Sequence, residues 1–423
     1  MIEMFKNLPR IQVSFFILIA AFLIGLPYIF SSAFALTLLC KIGVLVIFSL
    51  AYNMLLGQTG LLSFGHAVYF GLAGYSTIHL LNGINLKIIL NIPVFFLPVL
   101  GFIVGLILGF LIGYLSTKRI GTAFAMISLG FCELITALTL IFVIFFNGED
   151  GIQADRVTGQ DMFGISYGPQ SEVYFLILFW TLLCTTVMYL LTKTPFGQMC
   201  NAIRENPQRA EFVGYNITKV RWLAFILSAG FAGAAGSLHA INYEHIGFES
   251  VSLVQSGFVL FNAYIGGVGN FFGPIIGAIS LTYLDTVLSD ITEAWVLYFG
   301  LIFVLVVAFA PQGIAGLITM HGPIIRIKPS LFFKLLKPYF FLIISSVILV
   351  VGFTTIIELI HSFNLNKEYT YAYWIKLDNY NFLTWLIFTL FTITGLILCR
   401  RHFIKTKAIW NEIMEEIKIE LKQ

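Results

Sequence analysis

Charged side chains are scarce in this chain. Only 11% of its 423 residues are Asp, Glu, Lys or Arg, whereas 59% are hydrophobic. A soluble domain carries roughly a quarter charged residues. The composition therefore argues against an ordinary soluble domain and indicates an integral membrane protein that contacts lipid. The net charge of +3 is small, and nothing in it points to nucleic acid as a partner.

The chain also lacks the usual motifs of enzymes and metal sites. No glycine-rich turn runs into Gly-Lys followed by Ser or Thr, so the phosphate-binding loop of ATPases is missing. We find no serine-hydrolase elbow and no two histidines spaced to hold a metal on one helical face. The spacing of the cysteines does not match that of paired metal ligands. They are Cys40, Cys132, Cys184, Cys200 and Cys399. We expect free thiols, no metal or cofactor bound by this chain, and no enzymatic activity of its own.

Long apolar runs fill most of the sequence. About 20 mostly apolar residues suffice for a helix to cross the hydrocarbon core of a membrane. The twelve runs are 12–32, 35–56, 62–82, 92–115, 121–146, 173–191, 222–242, 253–270, 272–289, 294–310, 338–360 and 382–399. We therefore expect an all-α polytopic membrane protein with about twelve transmembrane or re-entrant helices, some broken at glycine. The first run is expected to be a retained anchor.

The basic residues cluster on one side of this predicted topology. The clusters are Lys6 with Arg10, Lys118 with Arg119, the 192–221 loop, the 325–337 loop and the tail from Arg400. The positive-inside rule makes that side cytoplasmic and places both termini there. The acidic residues of the opposite side include Glu149, Asp150, Asp155, Asp161 and Glu172. Lys41 and Lys87 fit this pattern less well, and we expect Lys41 and Asp285 to extend to the membrane interface.

The sequence of the 192–221 loop predicts a folded segment. Thr194 followed by Pro195, and Asn206 followed by Pro207, are typical helix starts, and Gly214 is a typical left-handed stop. Two short helices are thus predicted at the membrane surface. They suit either contact with a partner protein or simple rest on the lipid surface.

Three stretches are rich in glycine: 57–74, 121–133 and 265–277. Glycine lets helices pack closely in lipid, but it can also break a helix so that backbone groups line a cavity. Both interpretations stay open, and the polar residues of the first two stretches favour a solute pathway for part of them. The candidate pathway residues are Gln58, Thr59, Ser63, Gly65, His66, Ser128, Gly130 and Glu133. Glu133 suits a hydrogen-bonded structural carboxylate as well as a pathway role.

Five co-linear motifs resemble a known family. They are 53–67 (NMLLGQTGLLSFGHA), 125–135 (AMISLGFCELI), 194–197 (TPFG) with 202–206 (AIREN) and 209–214, 266–270 (GGVGN) with 273–278 (GPIIGA), and 311–316 (PQGIAG). Together, over roughly residues 35–318, they resemble the permease subunits of ATP-binding-cassette importers for branched-chain amino acids and urea.

That resemblance implies partners, and it implies that the 192–221 loop, the coupling loop, docks the ATPase. The partners would be a second permease subunit, two cytoplasmic ATPase subunits that bind ATP and Mg²⁺, and an extracytoplasmic solute-binding protein. The family's ATPase-coupling positions fall on Glu205, Arg209, Ala210, Phe212 and Gly214. We expect Ala210, Phe212 and Val213 to enter a groove on the ATPase, with Arg204, Arg209 and Glu211 at its rim.

The function expected is that of a permease subunit in the bacterial inner membrane, which imports branched-chain amino acids by alternating access. A urea or amide importer of the same family is the alternative. An ion-coupled carrier working alone, with Glu133 or His66 as a proton site, is a further and more distant one.

The resemblance ends near Gly322. We therefore expect a permease core over 1–322 and a C-terminal extension over 323–423 with two further transmembrane helices, an outer loop of tyrosines and Trp374, and an amphipathic cytoplasmic tail. The apolar stripe of that tail contains Ile409, Trp410, Ile413, Met414, Ile417 and Leu421. The stripe suits either rest on the chain itself or on the membrane, or docking to the ATPase.

Overall fold

The computed structural model describes residues 10–88, 92–157, 165–310, 312–373 and 375–420. Within these residues most of the chain is α-helical. Of the residues named above, Lys6, Asp161, Pro311, Trp374 and Leu421 lie outside the described ranges. The all-α polytopic fold expected from composition is confirmed.

The helices of the first part of the chain follow the apolar runs and the coupling loop. They are α1 (Arg10–Ile29), α2 (Ala33–Thr59), α3 (Ala67–Asn85), α4 (Leu97–Ser116), α5 (Thr122–Ile141), α6 (Val143–Phe146), α7 (Gln170–Lys193), α8 (Pro195–Glu205), α9 (Pro207–Phe212) and α10 (Ile217–Tyr243). Two short strands, β1 (Ile152–Gln153) and β2 (His245–Ile246), pair antiparallel.

The remaining elements complete the described chain. They are α11 (Leu253–Gly266), α12 (Gly273–Ile291), α13 (Trp295–Phe309), α14 (Gly313–Met320), α15 (Gly322–Ile327), α16 (Pro329–Asn364), the hairpin strands β3 (Tyr369–Ala372) and β4 (Ile375–Asp378), and α17 (Phe382–Glu420). The expected aromatic outer loop is thus in part a hairpin. Two compact units result: residues 1–288 with 301–316, and residues 289–300 with 317–423.

Each of the twelve predicted spans contains a helix, but their lengths differ from the prediction. In the described residues, eight helices are long and apolar enough to cross a membrane, or nine if the bent pair Trp295–Phe309 and Gly313–Ile325 is one span. The span expected over 253–270 is only the 14-residue helix α11. The span expected over 62–82 begins late, at Ala67, because residues 60–66 are not helical.

Helix α10 forms the centre of the first unit. It packs against α2, α3 and α4 and is the most enclosed of the long helices. Its contact with α4 runs along glycines at every fourth position, where a Cβ on Gly105 would lie 2.2 Å from the carbonyl oxygen of Ala229. The other glycines of this stripe are Gly101, Gly109 and Gly113. Small residues permit such backbone approach in membrane bundles, and the sequence reasoning had not singled out this stripe.

Lys41 and Asp285 bond to each other. The Nζ atom of Lys41 lies 2.8 Å from Oδ2 of Asp285, and both side chains are partly buried. The expected position at the membrane interface stays a prediction, and the structure adds that the two charges pair with each other. Pairing removes much of the cost of placing either charge near an apolar region.

The second unit is built on the pair α16 and α17. A Cβ on Gly395 would lie 2.6 Å from the Cα atom of Leu349, so these two helices approach closely. At the far end of α17, the apolar stripe of the tail packs against residues of α15 and α16. The buried members of this C-terminal cluster are Ile324, Leu331, Leu335, Ile413 and Ile417. The tail therefore rests on its own chain, which is the plainer of the two expectations for it.

Candidate functional site

The coupling loop is folded as its sequence predicts. Oγ1 of Thr194 accepts a hydrogen bond from the backbone N–H of Gly197 (3.3 Å), and Oδ1 of Asn206 accepts one from Arg209 (3.0 Å). Gly214 has φ of +97°. These bonds satisfy donors that the first turn of each helix leaves free. The predicted caps and the left-handed stop are confirmed.

A small apolar cluster holds the coupling loop together. Its buried members come from α8, α9 and α10: Cys200, Ile203, Ala210, Val220 and Ala224. Ala210 is only 5% exposed because α9 turns that side toward α8 and α10. The expectation that Ala210 enters a groove on the ATPase is therefore wrong.

The same cluster buries the thiol of Cys200 and thereby lowers its reactivity. This side chain is fully buried, and burial raises the pKa of its thiol to about 12. The thiolate is the reactive form of cysteine. Cys200 is therefore protonated and inert at neutral pH for as long as the cluster stays closed.

The end of α9 presents an apolar tip to the surroundings. Phe212 is 91% exposed and Val213 is 69% exposed. Polar residues border this tip, since Glu205, Arg209 and Glu211 are exposed as well. Large apolar side chains this exposed, with a polar rim, are typical of protein contact sites. The exposed coupling surface thus consists of Phe212 and Val213 with these three charged residues.

The first glycine-rich stretch contains a true break between α2 and α3. Gly60 ends α2 with φ of +73°, and residues 60–66 are not helical. Side chains from other helices serve the freed backbone groups: Oγ of Ser128 accepts from Phe64 N–H, and Oγ of Ser256 accepts from Ala67 N–H, each at 3.0 Å. Irregular backbone within a membrane protein requires such internal partners.

His66 lies at the end of this break and is fully buried. Its Nε2 lies 3.0 Å from Oγ of Ser228, and that hydroxyl donates its hydrogen to the carbonyl oxygen of Ala51. His66 therefore donates through Nε2–H, which leaves Nδ1 as an acceptor, and no described residue serves it. The rings of Phe48 and Tyr52 pack on it. This environment is that of a packed side chain, and a pathway role for His66 stays a prediction.

The candidate residues of α5 divide between two faces. Ser128 is buried against the break, and a Cβ on Gly65 would lie 2.3 Å from the carbonyl oxygen of Ser128. Gly130 and Glu133 are exposed, and no atom lies within 4 Å of where a Cβ on Gly130 would be. Gly130 neither breaks α5 nor packs closely against another described residue, so its role in packing or in a pathway stays a prediction.

Glu133 has the most unusual position of the candidates. It lies in the middle of a 20-residue apolar helix, is exposed, and forms no hydrogen bond or ion pair with any residue of the described ranges. The structural carboxylate that the sequence also allowed is therefore not seen. Met126, Gly130, Leu134, Ala137 and Ile141 are the other exposed residues of the same helical face.

Gln58 and Thr59 occupy the last turn of α2, directly before the break. Thr59 is buried and its hydroxyl donates back to the carbonyl oxygen of Leu55 (2.6 Å), whereas Gln58 is half-buried. Ser63, within the break, is buried, and its carbonyl accepts from the hydroxyl of Tyr52. Thr59 and Ser63 thus have bonding partners inside the chain.

The third glycine-rich stretch joins α11 to α12 through close backbone contact. A Cβ on Gly277 would lie 1.9 Å from the carbonyl oxygen of Asn262, so only glycine fits. Asn53 of α2, one turn before the first stretch, bonds to this one: its Nδ2 donates to the carbonyl of Asn270, and its Oδ1 accepts from Gly269 N–H, both at 3.4 Å. The turn between α11 and α12 is therefore bonded to the last part of α2.

Among the acidic residues between α6 and α7, Arg156 is a buried basic residue that forms several hydrogen bonds. Arg156 is 7% exposed and donates to the carbonyls of Tyr167 (2.7 Å) and Asn242 (3.0 Å), and it lies near Glu244. It thereby caps the end of α10 and connects it to the segment just before α7. That it is the lone basic residue among these acidic ones was the only sequence signal for it.

We find no clustering of His, Cys, Asp or Glu side chains suited to a metal ion within the described ranges. The arrangement consists instead of an exposed apolar tip, a central helix attached to it, and two broken glycine-rich stretches. The exposed tip has the surface character of a protein contact site, and the described residues show no group of side chains that suggests covalent chemistry.

The part of the chain that contains these elements is similar to known proteins. The model of a family described as branched-chain amino acid transport system, permease component, matches residues 34–311. The high-affinity branched-chain amino acid transport system permease protein LivM of Escherichia coli K12 is 29% identical over 307 residues, and that of Salmonella typhimurium is 28% identical over 307; each match covers 67% of this chain and 69% of the relative. A probable permease protein LivH of Methanocaldococcus jannaschii is 27% identical over 287 residues, or 64% of this chain and 88% of the relative. No solved structure is significantly similar to the chain.

Proposed function

The chain belongs to the family of branched-chain amino acid transport system permease components, and from that premise we propose that it is the transmembrane subunit of an ATP-driven importer for branched-chain amino acids. It is a permease component and not an enzyme. The names of the relatives support the choice of branched-chain amino acids over urea. ATP and Mg²⁺ would be bound by partner ATPase subunits.

The exposed coupling surface supports docking of an ATPase. Phe212 and Val213 extend from a short helix whose base is fixed by the buried Ala210 cluster. An aromatic side chain that is 91% exposed gains most from burial in a partner's groove. Glu205, Arg209 and Glu211 around it would set the orientation of the docked subunit.

A second permease subunit would cover the exposed face of α5. The relatives include proteins of two names, LivM and LivH, which supports a pair of related permease subunits. A carboxylate is costly against lipid and usually faces a protein interior or a wet cavity. We infer that Glu133 and Gly130 face the second subunit and border the passage between the two permeases.

Alternating access would use the attachment of the coupling loop to α10. The loop cluster contains Val220 and Ala224, which belong to α10. Because α10 packs against α2, α3 and α4, a push on the loop would be passed to the centre of the bundle. Closure of the ATPases would then alternate the passage between its two openings.

The proposal places the chain in the bacterial inner membrane with both termini and the coupling loop in the cytoplasm. The positive charge of the coupling loop supports that side. The opposite loops, fixed by Arg156 and by the pairing of β1 with β2, would receive the solute-binding protein.

The test is reconstitution with subunit-specific variants. The chain is co-expressed with the second permease and ATPase subunits of its own system, purified, and placed in vesicles with the binding protein and radiolabelled leucine. We expect ATP-dependent uptake. Phe212→Asp should leave the chain inserted but abolish co-purification of the ATPases, because the carboxylate would be buried without a partner.

Gln198→Asp is the matched control, since Gln198 is an exposed residue of the same loop on α8. It should keep ATPase binding and uptake. Normal ATPase binding by Phe212→Asp would refute the docking assignment, and uptake without ATP would refute an ATP-driven importer.

A further inference from the structure

Arg204 connects the coupling loop to the non-helical segments within the first unit. It lies in the last turn of α8, and its guanidinium donates a hydrogen bond to the carbonyl oxygen of Gly57 in the last turn of α2. The sequence reasoning placed Arg204 at the rim of an ATPase groove, but in the structure its head group extends back into its own chain.

The carbonyl that Arg204 binds is one that the end of α2 leaves free. The backbone N–H of Leu61 would bond to Gly57 in a continuing helix, but it donates to the carbonyl of Leu55 instead (3.4 Å). The last carbonyls of a helix also carry the negative end of its dipole. A guanidinium is therefore well suited to this position, both as a donor and as a cation.

The third glycine-rich stretch meets the same guanidinium. A Cβ on Gly269 would lie 2.8 Å from an Nη atom of Arg204, and Gly269 has φ of +94°. The stem of Arg204 passes Gly60, where a Cβ would lie 3.6 Å from its Cγ. Arg204 thus touches the first residue of one break and the middle of the other. Asn53 of α2 also bonds to the second of these breaks.

We propose that Arg204 is the positioning residue through which movement of the coupling loop reaches the two glycine breaks. The apolar cluster transmits force to α10, whereas Arg204 provides a second connection, directly to the end of α2 and to the turn between α11 and α12. A guanidinium with a fixed geometry moves these two turns together when α8 moves. This inference rests on the proposed importer function and adds to it the residue that couples the loop to the passage.

The experiment measures ATP hydrolysis and solute uptake by the same reconstituted complexes. In Arg204→Met the apolar stem is kept and the hydrogen bond is lost. We expect normal assembly and ATP hydrolysis within about twofold of the parent, with uptake per ATP lowered about tenfold, since coupling energies between sites commonly correspond to 5–150-fold. Arg204→Lys retains the cation and one donor, and should restore part of the lost uptake.

Gly269→Ala tests the same contact from the other side. Its methyl group would displace the guanidinium, so uptake per ATP should fall as in Arg204→Met. Gly121→Ala is the matched control, because Gly121 also has positive φ (+62°) but nothing within 4 Å of its Cβ position. Lys219→Met, which removes an exposed cation from the same loop, should leave the coupling ratio unchanged.

The outcomes separate this inference from the proposed function. If Arg204→Met lowers only the yield or thermal stability, and the surviving complex shows a normal ratio of uptake to ATP hydrolysis, Arg204 merely fixes the loop and the inference is overturned. Failure of the parent complex to hydrolyse ATP or to take up leucine would instead refute the proposed function. Equal losses in Lys219→Met and Arg204→Met would also overturn the inference.

Discussion

At the scale of single residues, glycines that look alike in sequence have opposite surroundings. Gly65 lies against the backbone of α5, where an added Cβ would meet the carbonyl oxygen of Ser128 at 2.3 Å. Gly130, two residues beyond Ser128 on α5, has open space around it. Close packing therefore explains Gly65, whereas no described residue packs against Gly130, and the proposed second permease subunit would lie there.

Replacement of these two glycines should have different effects. Gly65→Ala should lower the free energy of unfolding of the chain by about 1–3 kcal/mol, as overpacked cores do. Gly130→Leu should leave the stability of the isolated chain in detergent nearly unchanged, but it should weaken association with the second permease subunit and lower uptake. Thermal unfolding of the purified chain and co-purification measure the two effects. A strong loss of stability in isolated Gly130→Leu would contradict the exposed position of Gly130.

At the scale of elements, the coupling loop has an inner and an outer face. Ala210 faces the buried cluster and Phe212 faces outward, although only one residue separates them. The inner face determines whether α8 and α9 are folded onto α10. The outer face is available to a partner. Variants of the two faces should therefore fail in distinguishable ways.

The thiol of Cys200 reports on the inner face. Its raised pKa, about 12, means that the closed loop holds the thiol protonated at pH 7–9, so a maleimide should react only through opening of the cluster. Ala210→Asp places a carboxylate in this cluster at a cost of several kcal/mol, and Cys200 should then be labelled rapidly. Phe212→Asp should leave Cys200 protected. The measurement is the labelling rate in a chain whose other cysteines are replaced, and rapid labelling in the parent chain would contradict a closed cluster.

At the scale of the whole molecule, the chain has two compact units, and the family match ends at residue 311. The candidate residues for coupling and passage all precede that point. The second unit has its own core, in which the end of α17 packs on α15 and α16. We therefore expect that transport does not require the extension formed by residues 323–423.

Substitution in the C-terminal cluster tests this view. Ile413→Asp should destabilise the packing of α17 by about 2–5 kcal/mol, since Ile413 is 2% exposed, and uptake by the assembled complex should stay near the parent value. Ile419→Asp is the control because Ile419 is 62% exposed. Proteolysis of the tail and leucine uptake are measured together. A well-assembled but inactive Ile413→Asp complex would show that the extension takes part in transport.

The sequence by itself determined the membrane setting, the helical fold and the capped coupling loop. These depend on composition, on runs of apolar residues and on local caps such as Thr194 and Asn206, and each of these acts within a few turns of helix. The family resemblance likewise rested on short motifs in a fixed order. None of these features requires knowledge of which helices meet.

Only the tertiary structure decided which side of each element faces inward. The sequence analysis assigned roles to several residues without knowing their neighbours, and the contacts reversed or refined those roles. The residues are Ala210, Phe212, Gly65, Gly130, Lys41 and Asp285. Arg204 is the clearest case, because its partners Gly57 and Gly269 lie far away in the sequence. Contacts between distant segments depend on how helices pack, and the spacing of residues along one segment carries no information about that.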